Sequence, residues 1–229
     1  MNIILFGPPG AGKGTQGNNI VHFFNLHKVS SGDLLRSEIK NSTKIGLKIK
    51  SIIDNGLLVS DDIINNLIED ILKDKNISNR LIFDGYPRNL DQAKKLSLLL
   101  KKYKQNISAV FSLNVSKEKV IKRILGRQTC TKCGLIFNEY FNPSTQDSHK
   151  CGSKFLIKRS DDSKEIIIKR FETYIDKTLP LLNYYKDQNL LHELNGSDEI
   201  DHIFKEIQGI IASLEGWLVI RIYINSAFR

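Results

Sequence analysis

The chain has 229 residues, of which 41% are hydrophobic and 26% are charged. This composition excludes a disordered chain, and the length suits one large α/β core with an insertion. The formal net charge of +9 suits a phosphate-bearing partner such as a nucleotide, a nucleic acid or a membrane surface. Scattered surface lysines would give the same total, so charge alone does not select the partner.

The start of the chain has no basic segment and only a short apolar run, so the pattern of an export signal is absent. No segment approaches the ~18 apolar residues of a membrane span. Three cysteines, Cys130, Cys133 and Cys151, form an odd set that argues against a disulfide scaffold. We therefore expect a soluble, cytoplasmic protein without a membrane partner.

Strands and helices alternate in the first half of the chain. An apolar run predicts a buried strand over residues 2–6, and a helix follows over 12–24. Helices are expected over 30–40, 42–55 and 61–73, the last with Ser60 as its N-cap. A strand over 81–84 precedes a helix from Asn89 to about residue 103, and Gln92, three positions after Asn89, fits a capping box.

The second half repeats this alternation around one interruption. A strand over 109–114 and a helix over 116–126 precede residues 127–162, which lack helical periodicity and resemble an inserted module. A helix over 163–186, a strand over 190–194 and a helix from 197 to about 212 follow. The tail after residue 213 has strand propensity but no evident role. The whole pattern predicts an α/β fold with a doubly wound parallel sheet.

A glycine-rich segment, Gly-Pro-Pro-Gly-Ala-Gly-Lys-Gly-Thr from Gly7 to Thr15, follows the first strand and opens a helix. Glycines allow positive φ, so backbone N–H groups can surround phosphate oxygens, and Lys13 adds a point charge. The strict P-loop pattern has Ser or Thr directly after the lysine, whereas here Gly14 intervenes. The segment predicts a triphosphate site with a displaced hydroxyl at Thr15.

Arginines in this lysine-rich chain form the second signal. Phosphoryl transfer to another phosphate needs positioning and charge neutralisation rather than a base, and the donor fork of arginine suits that task. Arg123 and Arg127 lie four apart on one helix face. Arg88 follows Asp84 at the end of a strand, where open α/β sheets bind ligands. Asp84 would orient waters around Mg²⁺, or else only form a turn before Gly85.

Taken together, these segments resemble the adenylate kinase family in its long form with a full lid. The matching segments are Gly7 to Thr15, Ser-Gly-Asp-Leu-Leu-Arg from Ser31 to Arg36, Phe-Asp-Gly-Tyr-Pro-Arg from Phe83 to Arg88, and Arg-Ser-Asp-Asp from Arg159 to Asp162 with Arg170. The resemblance spans about residues 1–212. It implies a P-loop NTPase-like core (1–29, 60–125 and 165–213), an AMP-binding segment (30–59), a lid (126–164) and an unassigned tail (214–229).

The resemblance also implies which residues form each site. The triphosphate would be held by Gly10, Ala11, Gly12, Lys13, Gly14, Thr15, Arg123, Arg127 and Asp198. AMP would be held by Ser31, Arg36, Leu57, Val59, Gly85, Arg88, Gln92, Arg159 and Arg170. The catalytic set would be Lys13, Asp84, Arg88, Arg123, Arg159 and Arg170, with Asp161 and Asp162 as hinge or latch acids of the lid.

The activity implied by the resemblance is the reversible conversion of ATP and AMP into two ADP with Mg²⁺, by a monomer acting on small-molecule nucleotides. Ser31 favours a purine acceptor, since similar UMP/CMP kinases usually have Ala there and a shorter lid. GTP as donor and a UMP/CMP acceptor stay open as alternatives. A nucleic-acid-binding protein is disfavoured because the basic residues are dispersed and are not interleaved with aromatic residues.

The cysteines point to a metal site within the inserted module. Cys130-Thr131-Lys132-Cys133 is one half of a zinc knuckle. The second half lacks its first cysteine, because Ser148 stands there, but His149 and Cys151 are competent ligands. We predict a structural Zn²⁺ site of Cys130, Cys133, His149 and Cys151, with Asp147 as a further candidate. The alternative is a metal-free lid held by side-chain hydrogen bonds.

Overall fold

A computed structural model describes residues 1–215. Its strands in chain order are β1 (Asn2–Phe6), β2 (His27–Ser30), β3 (Leu81–Asp84), β4 (Ala109–Asn114), β5 (Arg127–Cys130), β6 (Ile136–Asn138), β7 (Leu156–Ile157) and β8 (Leu191–Asn195). Five of them form a parallel sheet in the order β2-β3-β1-β4-β8, and the other three form an antiparallel sheet in the order β6-β5-β7. The order reverses beside β1, which confirms the predicted α/β class.

Helices cover both faces of the parallel sheet. They are α1 (Lys13–Phe24), α2 (Ser31–Lys40), α3 (Lys44–Asp54), α4 (Asp61–Leu72), α5 (Leu90–Lys102), α6 (Lys117–Leu125), α7 (Lys164–Thr173), α8 (Leu181–Lys186) and α9 (Ile200–Glu215). Successive side chains of a strand point to opposite faces. In β1, Ile4 and Phe6 therefore pack into the core with α4, α5 and α8, whereas Ile3 and Leu5 pack with α1 and α9. The sheet is therefore covered by helices on both faces, as the predicted doubly wound fold requires.

The segment predicted as one helix, over residues 163–186, is helical but divided. The segment contains α7, a π-helical turn at Tyr174–Thr178 and the separate helix α8. Leu179 N–H donates to Tyr174 O over 2.8 Å, a bond across five residues that widens the turn. Pro180 comes next and has no N–H with which to continue the helix.

Four strands were not predicted, and their sequences explain why. β2 is a four-residue edge strand in which only Val29 is fully buried. The inserted module, expected only to lack helical periodicity, contains β5, β6 and β7, which are two to four residues long. Runs this short carry too few residues to show the alternation of a strand. The last strand and helix also begin one and three residues later than predicted, and the tail over 216–229 lies outside the described residues.

Two predicted caps differ in outcome. Ser60 is the N-cap of α4, as predicted, but its hydroxyl accepts no cap hydrogen bond. Asn89 does cap α5, since its Oδ1 accepts from Gln92 N–H at 2.8 Å. The Gln92 side chain does not return to the Asn89 N–H as a capping box requires, because it bonds Arg88 N–H and Asp61 instead. Within residues 1–215, no helix is both long and apolar enough to cross a bilayer.

Gly46 allows α2 and α3 to touch through their backbones. A Cβ added there would overlap the Glu38 carbonyl group, whereas a Cβ at Gly209, in α9, would meet nothing within 4 Å. We expect Gly46→Ala to lower the free energy of unfolding by about 1–3 kcal/mol through overpacking. Gly209→Ala should raise it by about 0.5–1 kcal/mol through helix propensity. Urea unfolding of both variants measures the two changes, and a stabilised Gly46→Ala protein would contradict the contact.

Candidate active site

The glycine-rich loop lies between β1 and α1 in a conformation that needs its glycines. Gly7, Gly10 and Gly12 have φ angles of +143°, +76° and +101°. A Cβ at Gly10 would also lie 2.6 Å from Ile124 Cγ1, so the loop passes close to α6. Lys13 Nζ donates to Gly7 O at 2.7 Å and Pro8 O at 2.9 Å. The loop therefore curves around the lysine ammonium at the start of α1.

This loop forms the floor of a cavity of about 880 Å³, which the carboxyl ends of the strands and the β5–β6 hairpin also line. A smaller cavity of about 60 Å³ adjoins it beside α2 and α4. The shared lining includes Arg36, Gly85, Arg88 and Arg170. The two cavities therefore share a boundary that contains three arginines.

All the residues predicted for nucleotide binding line one of these two cavities. Those of the larger cavity alone are Gly10, Ala11, Gly12, Lys13, Gly14, Thr15, Asp84, Arg123, Arg127, Arg159 and Asp198. Those of the smaller cavity alone are Ser31, Leu57, Val59 and Gln92. The structure thus brings the set together, and the role of each residue stays a prediction.

Arg88 lies where the two cavities meet, directly after the cis peptide bond between Tyr86 and Pro87. Its Nε donates to Gly85 O at 2.7 Å and its Nη2 donates to Ser31 Oγ at 3.2 Å. Ser31 Oγ in turn donates to Gly85 O at 2.5 Å. Two elements, α2 and the loop after β3, therefore fix the plane of this guanidinium.

Burial, reinforced by neighbouring positive charges, lowers the pKa values of three basic groups in the site. Burial lowers the pKa of Lys13 from 10.5 to about 8, an effect that Asp84 opposes and Arg88 reinforces. Burial and the nearby Arg170 lower the pKa of Arg88 to about 10. Burial, and then Arg127, lower the pKa of Arg159 to about 10 as well. All three groups remain mainly protonated at neutral pH, in a region whose repulsion an anion would relieve.

Two carboxylates of the segment predicted to form a lid hold two of the arginines. Arg127 forms a two-point ion pair with Asp162, whose side chain is only 2% exposed. Arg170 Nη1 lies 2.6 Å from Asp161 Oδ2. Bidentate and buried pairs of this kind fix the guanidinium direction. Asp161 and Asp162 therefore lie next to arginines of the larger cavity, and their role as hinge or latch acids stays a prediction.

Strand β6 and the residues that follow it line the larger cavity, although the sequence did not indicate them. Ile136, Phe137, Asn138 and Phe141 line the larger cavity. The Phe141 ring centroid lies 5.8 Å from Arg123 Cζ, within the range of a cation–π contact. Arg123 Nη1 also donates to Gly196 O at 2.7 Å. In the sequence, Phe141 is only an aromatic residue between the two halves of the cysteine cluster. Its position opposite Arg123 is given by the fold.

The predicted metal ligands come together at the end of the small antiparallel sheet. One ligand atom each from Cys130, Cys133, His149 and Cys151 lies within 4.8 Å of the others. Lys132 and Cys133 N–H groups both donate to Cys130 Sγ at 3.4 Å, as in a knuckle. Exposed Ser148 bonds Thr145 instead, so it does not join the cluster.

His149 is oriented as a metal ligand would be. Its side chain is buried, and its Nδ1 lies 3.1 Å from Ser144 Oγ. Its Nε2 is buried without a hydrogen-bond partner. A ligating histidine commonly bonds a second partner through its other nitrogen. Three thiols and one free imidazole nitrogen match the tetrahedral preference of Zn²⁺, so the residues fit the ion.

The chain is similar to known proteins over most of its length. The family model described as adenylate kinase matches residues 5–190. The chain belongs to the adenylate kinase family. It is 47% identical to the adenylate kinase of Pelagibacter ubique (strain HTCC1062) over 92% of this chain and 99% of that protein. It is 40% identical to the adenylate kinase of Methanosarcina barkeri (strain Fusaro / DSM 804), over 92% of this chain and 98% of the relative. The resemblance inferred from the motifs is thereby confirmed, and the P-loop NTPase-like core with it.

Proposed function

We propose that this chain catalyses the reversible transfer of a phosphoryl group from ATP to AMP, giving two ADP. The observation that carries the proposal is the pair of adjoining cavities, one floored by the P-loop, with Arg36, Arg88 and Arg170 in the wall between them. Two bound polyanions would meet at that wall. The relatives reported above are named adenylate kinase, so a pyrimidine acceptor is not favoured.

In this proposal the chain acts by positioning and charge rather than by acid–base chemistry. The acceptor phosphate is already ionised at neutral pH, so no base has to remove a proton. Lys13, Arg123 and Arg127 would hold the triphosphate, and Arg88 would align the acceptor phosphate with it. Arg159 and Arg170 would face the transferring group, where guanidinium forks neutralise spreading charge. Mg²⁺ enters with the triphosphate as part of the substrate, and the Asp84 carboxylate in the cavity wall suits its bound waters.

We assign the segments accordingly. Residues 30–59 would form the AMP-binding segment and 126–164 the lid, which excludes water from the transferring phosphoryl group. Ser160 of the lid donates to Asp54 Oδ1 at 3.3 Å, so these two segments touch. This contact supports a lid that closes against the acceptor side. We expect the chain to act as a monomer in the cytoplasm, which gel filtration and cell fractionation test.

The function is tested by an ADP-forming assay with ATP, AMP and Mg²⁺. We expect two ADP for each AMP consumed and negligible ADP when AMP is omitted. Replacing AMP by CMP, UMP or GMP, and ATP by GTP, measures the specificity at both sites. Lys13→Ala protein purified in parallel controls for a contaminating kinase from the expression host. Absence of AMP-dependent ADP formation in the wild-type chain would refute the proposal.

We also propose that the lid binds one structural Zn²⁺ through Cys130, Cys133, Cys151 and Nε2 of His149. Protein purified without chelators should contain about one zinc per chain by elemental analysis. Cys133→Ser should lose the ion and melt at lower temperature, by about 2–4 °C for each kcal/mol of binding energy lost. Ser148→Ala is the matched control, because Ser148 bonds Thr145 outside the cluster, and it should retain zinc. Metal-free wild-type protein with a melting temperature unchanged by chelator would contradict the site.

A further inference from the structure

The side-chain amide of Gln92 is held from two directions in the smaller cavity. Its Oε1 accepts from Arg88 N–H at 2.7 Å, and its Nε2 donates to Asp61 Oδ1 at 2.7 Å. Gln92 is only 2% exposed, so water does not substitute freely for either partner. An amide offers two donors and two acceptor positions. One N–H and one oxygen lone pair of Gln92 therefore remain for a ligand.

These two partners leave the amide a single orientation. A backbone N–H can only donate, and an ionised carboxylate can only accept. Turning the amide over would place Oε1 against the Asp61 carboxylate and the amino group against Arg88 N–H. Both hydrogen bonds would be lost, and buried polar groups without partners are costly. The donor and acceptor that Gln92 presents are thus fixed in position as well as in number.

Asp61 is itself fixed at the first turn of α4. Asn89 Nδ2 donates to Asp61 Oδ1 at 3.0 Å and to Oδ2 at 3.1 Å. Asn89 is the N-cap of α5, so Asp61 ties the starts of two helices together. A negative charge at a helix N-terminus is favourable. Asp61 is not among the residues that line either cavity, whereas its partner Gln92 lines the smaller one.

The smaller cavity is suited to the base of the acceptor nucleotide. Its walls include the apolar residues Leu35, Ile53, Val59 and Ile64, whereas its arginines lie where it joins the larger cavity. An apolar slot with one neutral amide matches a flat heterocycle better than a phosphate. Adenine presents an amino donor beside a ring-nitrogen acceptor, and guanine has a carbonyl acceptor in place of that amino group. Only the amide orientation distinguishes these two patterns.

We propose that Asp61 is a positioning residue that fixes the orientation of the Gln92 amide and thereby makes the acceptor site select adenine over guanine. The inference rests on the proposed function. With the amide fixed, the free lone pair of Oε1 accepts from the adenine amino group and the free N–H of Nε2 donates to a ring nitrogen. Guanine would require the reversed amide, at the cost of both supporting bonds.

The test is the ratio of kcat/KM for AMP to kcat/KM for GMP, measured at saturating ATP. Asp61→Leu should lower this ratio by about tenfold or more, mainly by raising the KM for AMP, because one constraint on the amide is removed. The KM for ATP should change by less than about twofold. Asp61→Asn should retain most of the ratio, since its Oδ1 can still accept from Gln92. Asp62→Leu, at the exposed neighbouring position, is the matched control and should behave as wild type.

A double-mutant cycle separates positioning from general structural damage. In a Gln92→Leu background the Asp61→Leu change should no longer alter the AMP to GMP ratio, because no amide remains to be oriented. If Asp61→Leu does not fold, Asp61→Ser gives the same test, since a hydroxyl accepts or donates and tolerates either amide orientation. An unchanged ratio in active Asp61→Leu or Asp61→Ser protein, or an equal loss in the Gln92→Leu background, would overturn the inference. Failure of the proposed function is distinct, because wild-type chain would then form no AMP-dependent ADP.

Discussion

Arg88→Ala should lower kcat for ADP formation by about 10²–10³, the usual cost of removing one preorganised donor at a developing charge. Arg88 lines both cavities, and its plane is fixed from two sides, by Gly85 O and Ser31 Oγ. A guanidinium held in this way needs no reorganisation when the phosphates arrive. Its loss would therefore affect the transition state more than the binding of either nucleotide alone.

Two further variants make the Arg88 result specific. Arg88→Lys keeps a positive charge but cannot bond both supports and a phosphate in one plane, so its kcat should also fall well below wild type. Arg80→Ala is the matched control, because the Arg80 side chain bonds Asn25 O outside both cavities. Steady-state rates at saturating ATP and AMP measure all three. An Arg88→Ala rate near wild type would show that Arg88 is not catalytic.

Lys13→Ala should reduce kcat by a similar factor of about 10²–10³ and should also weaken triphosphate binding. The Lys13 ammonium is the cation that the P-loop encloses, anchored on Gly7 O and Pro8 O. Lys73→Ala controls for the loss of a lysine, since exposed Lys73 pairs with Asp70 on the surface. Circular dichroism melting should show both variants folded, and full activity in Lys13→Ala would refute its assignment.

The lowered pKa of Lys13 adds a pH signature to this prediction. Because burial brings that pKa to about 8, the free chain loses the ammonium as the pH rises above this value. The triphosphate binds the protonated form, so its Kd should weaken between pH 8 and 9.5, approaching tenfold per pH unit. The pKa of about 10 for Arg88 lies above this window. Isothermal titration with a non-hydrolysable triphosphate should show the slope in wild type and lose it in Lys13→Ala.

Local signals were predictable from the sequence, whereas contacts between distant segments were not. The P-loop could be located because its glycines, lysine and flanking elements are contiguous. β2 was missed because an edge strand with one buried residue has no apolar run. The division between α7 and α8 was missed because the backbone stays in the α region through Leu179 and Pro180, and only the ladder of hydrogen bonds is interrupted there.

The candidate site divides in the same way. Motif residues such as Lys13 and Arg88 were named from the sequence, and the structure brings them to the two cavities. Asp61 was not singled out as a site residue, because it meets Gln92 only when α4 packs on α5, thirty-one positions apart in the chain. The choice of His149 over Ser148 as a candidate zinc ligand needed chemistry alone, since Ser148 is a poor ligand for zinc. The Ser144 bond that orients His149 required the folded lid.

The close contact at Gly46 also restricts how the acceptor side can move. Thr43 N–H donates to Glu38 O at 3.2 Å, and Gly46 N–H donates to Thr43 Oγ1 at 2.9 Å, so the turn between α2 and α3 is bonded to both helices. With backbone against backbone, neither helix can slide along the other. The two helices are therefore joined as one rigid pair, and its connections to the rest of the chain lie near Ser30 and Ser60.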